Sequence, residues 1–321
     1  RKKRSAFTLP ADEFDLIPQS PIVYWISDNE RHAYGGDQLD DKAALREGIH
    51  TGCNPDFVRS WWEVPSSSFS VNEDSYESID ENKKKWIPYN KGGSTRRWYG
   101  ANEFVISFAS VSRASMAALS GHVRPSQSLY FLEGGTWSDV GTKGFGVRYF
   151  PSGFLFADAG PVVIGEEVEY LIALMNSKPF RHLAQIVMPN LHYKCGTVKL
   201  LPYVNCEGKE EVKDWARQAI QVAKQDWDSQ EESWDFQTSP LTSDDRLPLI
   251  KKCFENLERQ WECNRSNLRT LEEAINLRFI DAYKLAGDVS HEADEDELAI
   301  KCVDQIDTLC RLISFSVGCM M

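Results

Sequence analysis

The strongest constraint on the fold is a change of apolar period near Glu166. Before it, apolar residues come in short runs, Phe104-Val105-Ile106-Ser107-Phe108 and Gly153-Phe154-Leu155-Phe156, with Gly or Pro every ten or so residues. That is the pattern of short strands joined by turns. The run Phe145 to Phe156 reads as a hairpin with Pro151-Ser152-Gly153 at its turn. After the change, Val168, Leu171, Ile172 and Met175 share a helical face, and the Asn176-Ser177-Lys178-Pro179 break opens a second helix through Met188. Further on, Val212, Trp215, Ala219, Val222 and Ala223 form one stripe. Ile250, Phe254, Leu257 and Trp261 form another, which Leu268, Leu271, Ile275 and Tyr283 extend. With Pro248 at its start, a helix over 248–285 is about 57 Å long. A last helix near 296–317, carrying Leu298, Cys302, Ile306, Leu309 and Ile313, can pack against it. The acidic, Ser-rich stretch Asp226 to Asp245 reads as a mobile loop. The expected class is therefore α+β, with a turn-rich mixed domain over 1–203 and a mainly helical domain over 204–321.

Charge divides the chain at the same place. Residues 1–203 hold 22 basic and 23 acidic side chains, a net of −1, whereas 204–321 hold 14 and 25, a net of −11. Within the first part, positions 83–148 reverse the sign: ten Lys or Arg stand against three acidic residues, interleaved with ten aromatics. Cations able to neutralise phosphates, set beside rings able to stack on bases, make nucleic acid the first partner to test. The alternative is a solvated surface of an ordinary mixed domain. The acidic second part is expected to repel a phosphate backbone and to serve as scaffold or protein-docking surface. No apolar run approaches the ~18 residues that span a membrane, and Arg1-Lys2-Lys3-Arg4 is not followed by a signal-peptide stretch. Eight cysteines without a CxxC pair or a His at ligand spacing argue against zinc and against a disulfide framework, and point to reduced thiols in a cytoplasmic protein. The chain opens mid-charge at Arg1 and stops in the apolar stretch Leu312 to Met321, so both ends read as cut.

Catalysis leaves little trace. An amino-methyltransferase acting on a base needs an Asn/Asp/Ser-Pro-Pro-aromatic turn to grip the flipped base, and none of the 14 prolines is adjacent to another. Cys53-Asn54-Pro55-Asp56 is the nearest string. Gly141-Thr142-Lys143-Gly144-Phe145-Gly146 has the glycine spacing of a nucleotide loop, but it precedes a strand rather than a helix N-terminus, so a plain or DNA-facing turn is the simpler reading. There is no GxSxG, HExxH or Walker lysine. The pair Glu231-Glu232 and the run Asp294 to Glu297 read as solvated faces, and His182 and His192 as core or surface residues.

Several strings carry a resemblance. Gly48-Ile49-His50-Thr51-Gly52-Cys53-Asn54 precedes Phe57 to Val64, and Lys85-Trp86-Ile87-Pro88-Tyr89-Asn90-Lys91-Gly92-Gly93 precedes Arg96-Arg97-Trp98-Tyr99-Gly100. With Trp137, Phe145 to Tyr149, Leu174 to Lys178, Glu272-Glu273 through Asp281, and Val317 to Met320, they resemble the PglX family, adenine-specific DNA methyltransferases of bacterial BREX phage-defence systems. The resemblance implies that the S-adenosylmethionine-binding fold and its Asn-Pro-Pro-Tyr motif lie upstream of the matched region, so no cofactor is expected on this chain. What remains resembles a target-recognition domain with a helical region behind it. The Asn-Ser-Lys helix followed by a Leu-Pro string is similar to the end of recognition domains in type I specificity subunits and fused type II restriction-modification enzymes. Double-stranded DNA is the implied partner, with other BREX proteins and a phage DNA mimic as further ones. Lys83, Lys84, Lys85, Lys91 and Arg96 are then candidates for phosphates, and Arg97, Arg124, Lys143 and Arg148 for guanine edges in the major groove. Trp98 and Tyr99 either stack on bases or fill a core, Trp86 is assigned to the core, and Thr51 to Asn54 to a structural turn. Two rivals stay open: an enzyme with an unrecognised motif, and a protein-interaction fragment.

Overall fold

The computed structural model describes residues 16–320 apart from 22, 94, 142–143, 243–248 and 301–302. Lys143, Pro248 and Cys302 therefore lie outside the described residues. The class is α+β. Eight short strands run in order as β1 (Ala44–Arg46), β2 (Val58–Ser60), β3 (Trp86–Asn90), β4 (Phe104–Ser107), β5 (Gly134–Thr136), β6 (Arg148–Phe150), β7 (Leu155–Phe156) and β8 (Val162–Ile164). Among them lie four short helices, α1 (Asp28–Ala33), α2 (Asn54–Phe57), α3 (Tyr76–Glu81) and α4 (Ser110–Ala117). The rest is helical: α5 (Val168–Asn176), α6 (Lys178–Val187), α7 (Cys195–Val198), α8 (Lys209–Asp228), α9 (Ile250–Tyr283) and α10 (Gln305–Met320).

The strands form two sheets of four, ordered β1-β8-β5-β6 and β2-β4-β3-β7. Every pair is antiparallel except β3 with β7. The expected hairpin is corrected here. Gly153 does make the turn, at φ +94°, but β6 pairs with β5 and β7 with β3, so the two arms enter different sheets. Glycine in β5 has a packing cause: a Cβ on Gly135 would come within 3.1 Å of the Ile172 side chain of α5.

The α5–α6 break follows from its residues. Ser177 is extended at ψ 145°, its hydroxyl accepts from the Phe180 amide, and Pro179 sits in the first turn, where no amide is missed. The 34-residue α9 is about 51 Å long at 1.5 Å per residue. It buries Leu268, Leu271, Ile275 and Phe279, while α8 buries Val212, Ala216, Ala219 and Ala223. The main core runs continuously from Ile17 through α5, α6, α8 and α9 to Ile300. A second core, with Ile87, Ile106, Phe108 and Phe156, lies against the β2-β4-β3-β7 sheet. The composition step at 203/204 is thus not a break in packing. The stretch after α8 is also ordered up to Thr242: the Trp234 ring lies 5.7 Å from Phe69 and 5.8 Å from Phe154, and Ser233, Ser239 and Leu241 are buried. The last helix starts at Gln305 rather than near 296, where only a single 3-10 turn (Glu295–Glu297) forms.

Candidate nucleic-acid interface

The string Arg96 to Gly100 connects β3 to β4 and faces the acidic helices residue by residue. Arg96 pairs with Asp226 and stacks over Trp227 of α8. Arg97 donates from Nη2 to Glu272 Oε2 of α9 at 2.9 Å and also bonds the Glu297 carbonyl. Trp98 donates its indole N–H to the other oxygen, Glu272 Oε1, at 2.8 Å. Lys224 of α8 lies 5.1 Å over the Tyr99 ring, and a Cβ on Gly100, at φ +107°, would come within 3.1 Å of Trp227. One buried carboxylate, Glu272, thus serves two consecutive side chains, and a charged acceptor holds both more firmly than a neutral one. Burial lowers the Arg97 pKa, and Glu272 opposes that shift.

Arg148 sits beside this string in β6 and is 2% exposed. It reaches the Ser138 hydroxyl at 3.5 Å, and burial lowers its pKa to about 10, with Arg96 adding to the shift. Arg97 and Arg148 are therefore interior groups, and the expectation that they face guanine edges is corrected; Trp98 and Tyr99, for which stacking on bases and core packing were both open, are buried in the core. A guanidinium enclosed by protein cannot reach a groove. Trp86 is buried as expected. The Asn-Ser-Lys string is explained in the same way. The buried Asn176 amide accepts from the Val147 amide at 2.8 Å and donates to the Val147 carbonyl at 2.9 Å, acting as a strand partner for the chain between β5 and β6. The Lys178 amide donates to Asn276 of α9.

Lys83 and Lys85 are exposed, and Lys84, Lys91 and Arg124 are half-buried. Helix α3 ends in a Schellman turn: the Lys84 amide donates to the Ile79 carbonyl at 2.9 Å, the Lys83 amide to the Asp80 carbonyl at 3.3 Å, and Lys83 is left-handed at φ +53°. Lysine at a position that normally takes glycine hid this turn from sequence reading. It presents Lys83 and Lys85 exposed, with Lys84 donating to the Ser67 carbonyl. Lys85 lies 5.1 Å over the Trp86 ring, and at the far end of β3 Lys91 lies 5.0 Å over Phe104. Arg124 rests on Tyr76 and Phe108. Among the described residues, none of these five cations makes an ion pair.

A cleft of about 770 Å³ opens between the Arg96 string, the end of α8 and α10. Its seven carboxylates, Glu103 and Asp226 among them, outnumber its four arginines, so it does not suit a phosphate. Nor do the residues fit S-adenosylmethionine chemistry on a flipped base. Asn54-Pro55-Asp56-Phe57 forms the short helix α2, with Asp56 where the motif has its second proline, and the Phe57 ring is buried in the second core and not free to stack on a base. Among the described residues, no group of three or more His, Cys, Asp or Glu could hold a metal, and no helix is long and apolar enough to cross a membrane.

Comparison with known proteins gives the class: over nearly its whole length the chain is similar to adenine-specific methyltransferases. The relatives are PglX of Lacticaseibacillus casei strain Zhang, 29% identical over 322 residues, and BrxX of Escherichia coli O9:H4 strain HS, 28% identical over 335. These alignments take in 96% and 97% of this chain and 26% of each relative, so the chain is PglX/BrxX-like and spans about a quarter of the length of the curated relatives it matches. No family model matches it.

Proposed function

We propose that this chain is the DNA-recognition portion, with its helical support, of an adenine-specific (N6) DNA methyltransferase of a cytoplasmic BREX-type phage-defence system. The observation that carries this reading is the division of the basic window. Arg96 and Arg97 are spent on the acidic helices, whereas Lys83, Lys84, Lys85, Lys91 and Arg124 stand on the strand module without a carboxylate partner among the described residues. Cations of that kind hold a duplex by its phosphates and fix its register; Arg124, expected at a guanine edge, is reassigned to this set because ring faces hold its guanidinium. Lys143 keeps its assignment to a base edge as a proposal. In the whole protein such a module sets one adenine of an asymmetric site in the methylase pocket, where S-adenosylmethionine is bound by the upstream part. Host DNA is marked and unmodified phage DNA is not. Binding the 321-residue chain to pooled random duplexes, followed by sequencing, tests the reading: one asymmetric motif should be enriched, without methyl transfer. Failure to retain any duplex would overturn it.

A second reading rests on α10, which turns Ile306, Ile313, Val317 and Met320 to solvent. On it the helical region docks partner proteins of the same system. Ile313→Asp should then abolish co-purification with those proteins and leave duplex binding intact.

A further inference from the structure

Two arginines share one aromatic seat beside the lysine turn. Arg113 of α4 lies 4.9 Å from the centre of the Tyr76 ring and 5.6 Å from Phe108, and Arg124 lies 5.7 Å and 5.9 Å from the same two rings. The rings meet edge to face at 5.4 Å, so the seat is rigid. Only one of the two guanidinium groups is neutralised. Arg113 donates to the Phe108 carbonyl at 2.7 Å and to Asp80 at 2.6 Å, and Asp80 also accepts from the Ser110 amide. Burial pushes the Asp80 carboxyl up, but these donors outweigh it and its pKa is lowered, so the carboxylate stays charged beside Arg113. Among the described residues Arg124 has no carboxylate partner, and its Nε and Nη1 are enclosed without any hydrogen-bond acceptor.

Enclosing a cation without an acceptor opposes folding, and stacking on rings offsets only part of that. The arrangement becomes balanced once an anion meets the accessible edge of Arg124, because the seat carries two positive charges and one negative. The site also borders the exposed cations: Asp80, which holds Arg113, is followed within five residues by Lys83, Lys84 and Lys85. With Nε and Nη1 enclosed, Nη2 is the edge left to an anion, and a guanidinium fixed in orientation by ring faces suits a charged hydrogen bond from it to a phosphate oxygen.

We infer that Tyr76 and Phe108 hold Arg113 and Arg124 as a seat for one phosphodiester of the DNA backbone, with Arg124 making the contact and Arg113 the supporting charge. The inference rests on the proposed DNA-binding function and deepens it by naming a contact point.

The test compares Arg124→Gln, Arg124→Lys and Lys83→Gly in the full chain, using several unrelated duplexes and, as a separate arm, inorganic phosphate. Lys83→Gly removes a charge where φ +53° already favours glycine, so it reports on the neighbouring lysine turn without risk to the fold. Arg124→Gln should weaken every duplex about tenfold, as expected for a charged hydrogen bond, and flatten the salt dependence by about one counterion. Arg124→Lys, which keeps the charge and some stacking, should restore the salt dependence and only part of the affinity. Inorganic phosphate should compete only at millimolar levels, since it lacks the neighbouring lysine contacts. If Lys83→Gly weakens binding while Arg124→Gln does not, the seat is purely structural and the inference fails with the functional reading intact. A loss at Arg124 confined to one sequence would make it a base reader and overturn the phosphate assignment. Tight inorganic phosphate binding would identify a free-anion site instead. If wild type binds no duplex at any salt, the functional reading fails as well.

Discussion

Arg97 and Lys85 stand twelve residues apart in one basic window and do opposite things. The reason lies in what each can reach. Arg97 meets a carboxylate projecting from α9 into a buried interface, where Glu272 is 3% exposed, whereas Lys85 ends in solvent. Removing one member of a buried pair leaves an uncompensated charge, which typically costs about 3–5 kcal/mol. Glu272→Gln keeps an acceptor for the Trp98 indole and removes the charge opposite Arg97, so it should lose about 3 kcal/mol of stability in urea titration; an unchanged midpoint would show that the pair contributes nothing. The thiols separate in the same way. Burial pushes Cys195 up to about 12, whereas Cys263, Cys310 and Cys319 are exposed. An aromatic disulfide reagent at pH 8 should therefore modify the exposed thiols at once and Cys195 only after unfolding. The sign of the linked stability is fixed: an unfolded thiol ionises from about pH 9 upward, so Cys195 favours the folded state fully below pH 9 and loses that contribution as pH rises towards 12. Rapid reaction of Cys195 in the folded protein would contradict this placement.

At the scale of elements, α5, α6, α8 and α9 were legible because a 3.6-residue period marks a buried face wherever the partner comes from. Strand partners were not. The run Phe145 to Phe156 has the local signature of a hairpin, yet β6 and β7 diverge, because pairing is decided by β5 and β3, far away in sequence. Sequence gives the sign of a charge and not its burial, so the basic window was visible as a window while its division into interior and exterior cations was not. The continuous core has its own consequence. Chains ending at Tyr203 lose α8 and α9, which cover α5 and α6, and uncover Tyr170, Ala173 and Phe180. A 1–203 fragment should therefore aggregate or lack near-ultraviolet circular dichroism; a soluble, cooperatively melting fragment would contradict the shared core.

For the whole molecule, the net charge of −12 is distributed so that the acidic helices neutralise Arg96 and Arg97 of the strand module, while Lys83, Lys84, Lys85, Lys91 and Arg124 make no ion pair among the described residues. On the proposed function, steering towards DNA comes from the strand module, and the acidic helical surface disfavours approach from the other side. The most direct test of this division is the salt dependence of duplex binding by the full chain and by the double variant Lys85→Ala, Lys91→Ala, whose side chains lie at the two ends of β3 with no ion pair between either and the rest of the described protein. Each phosphate contact releases roughly 0.9 counterion, so the slope of log affinity against log salt should flatten by about two units, with affinity falling alike on specific and scrambled duplexes and no change in thermal stability. An unchanged slope and affinity in the folded double variant would contradict the account, leaving these lysines as ordinary solvated surface.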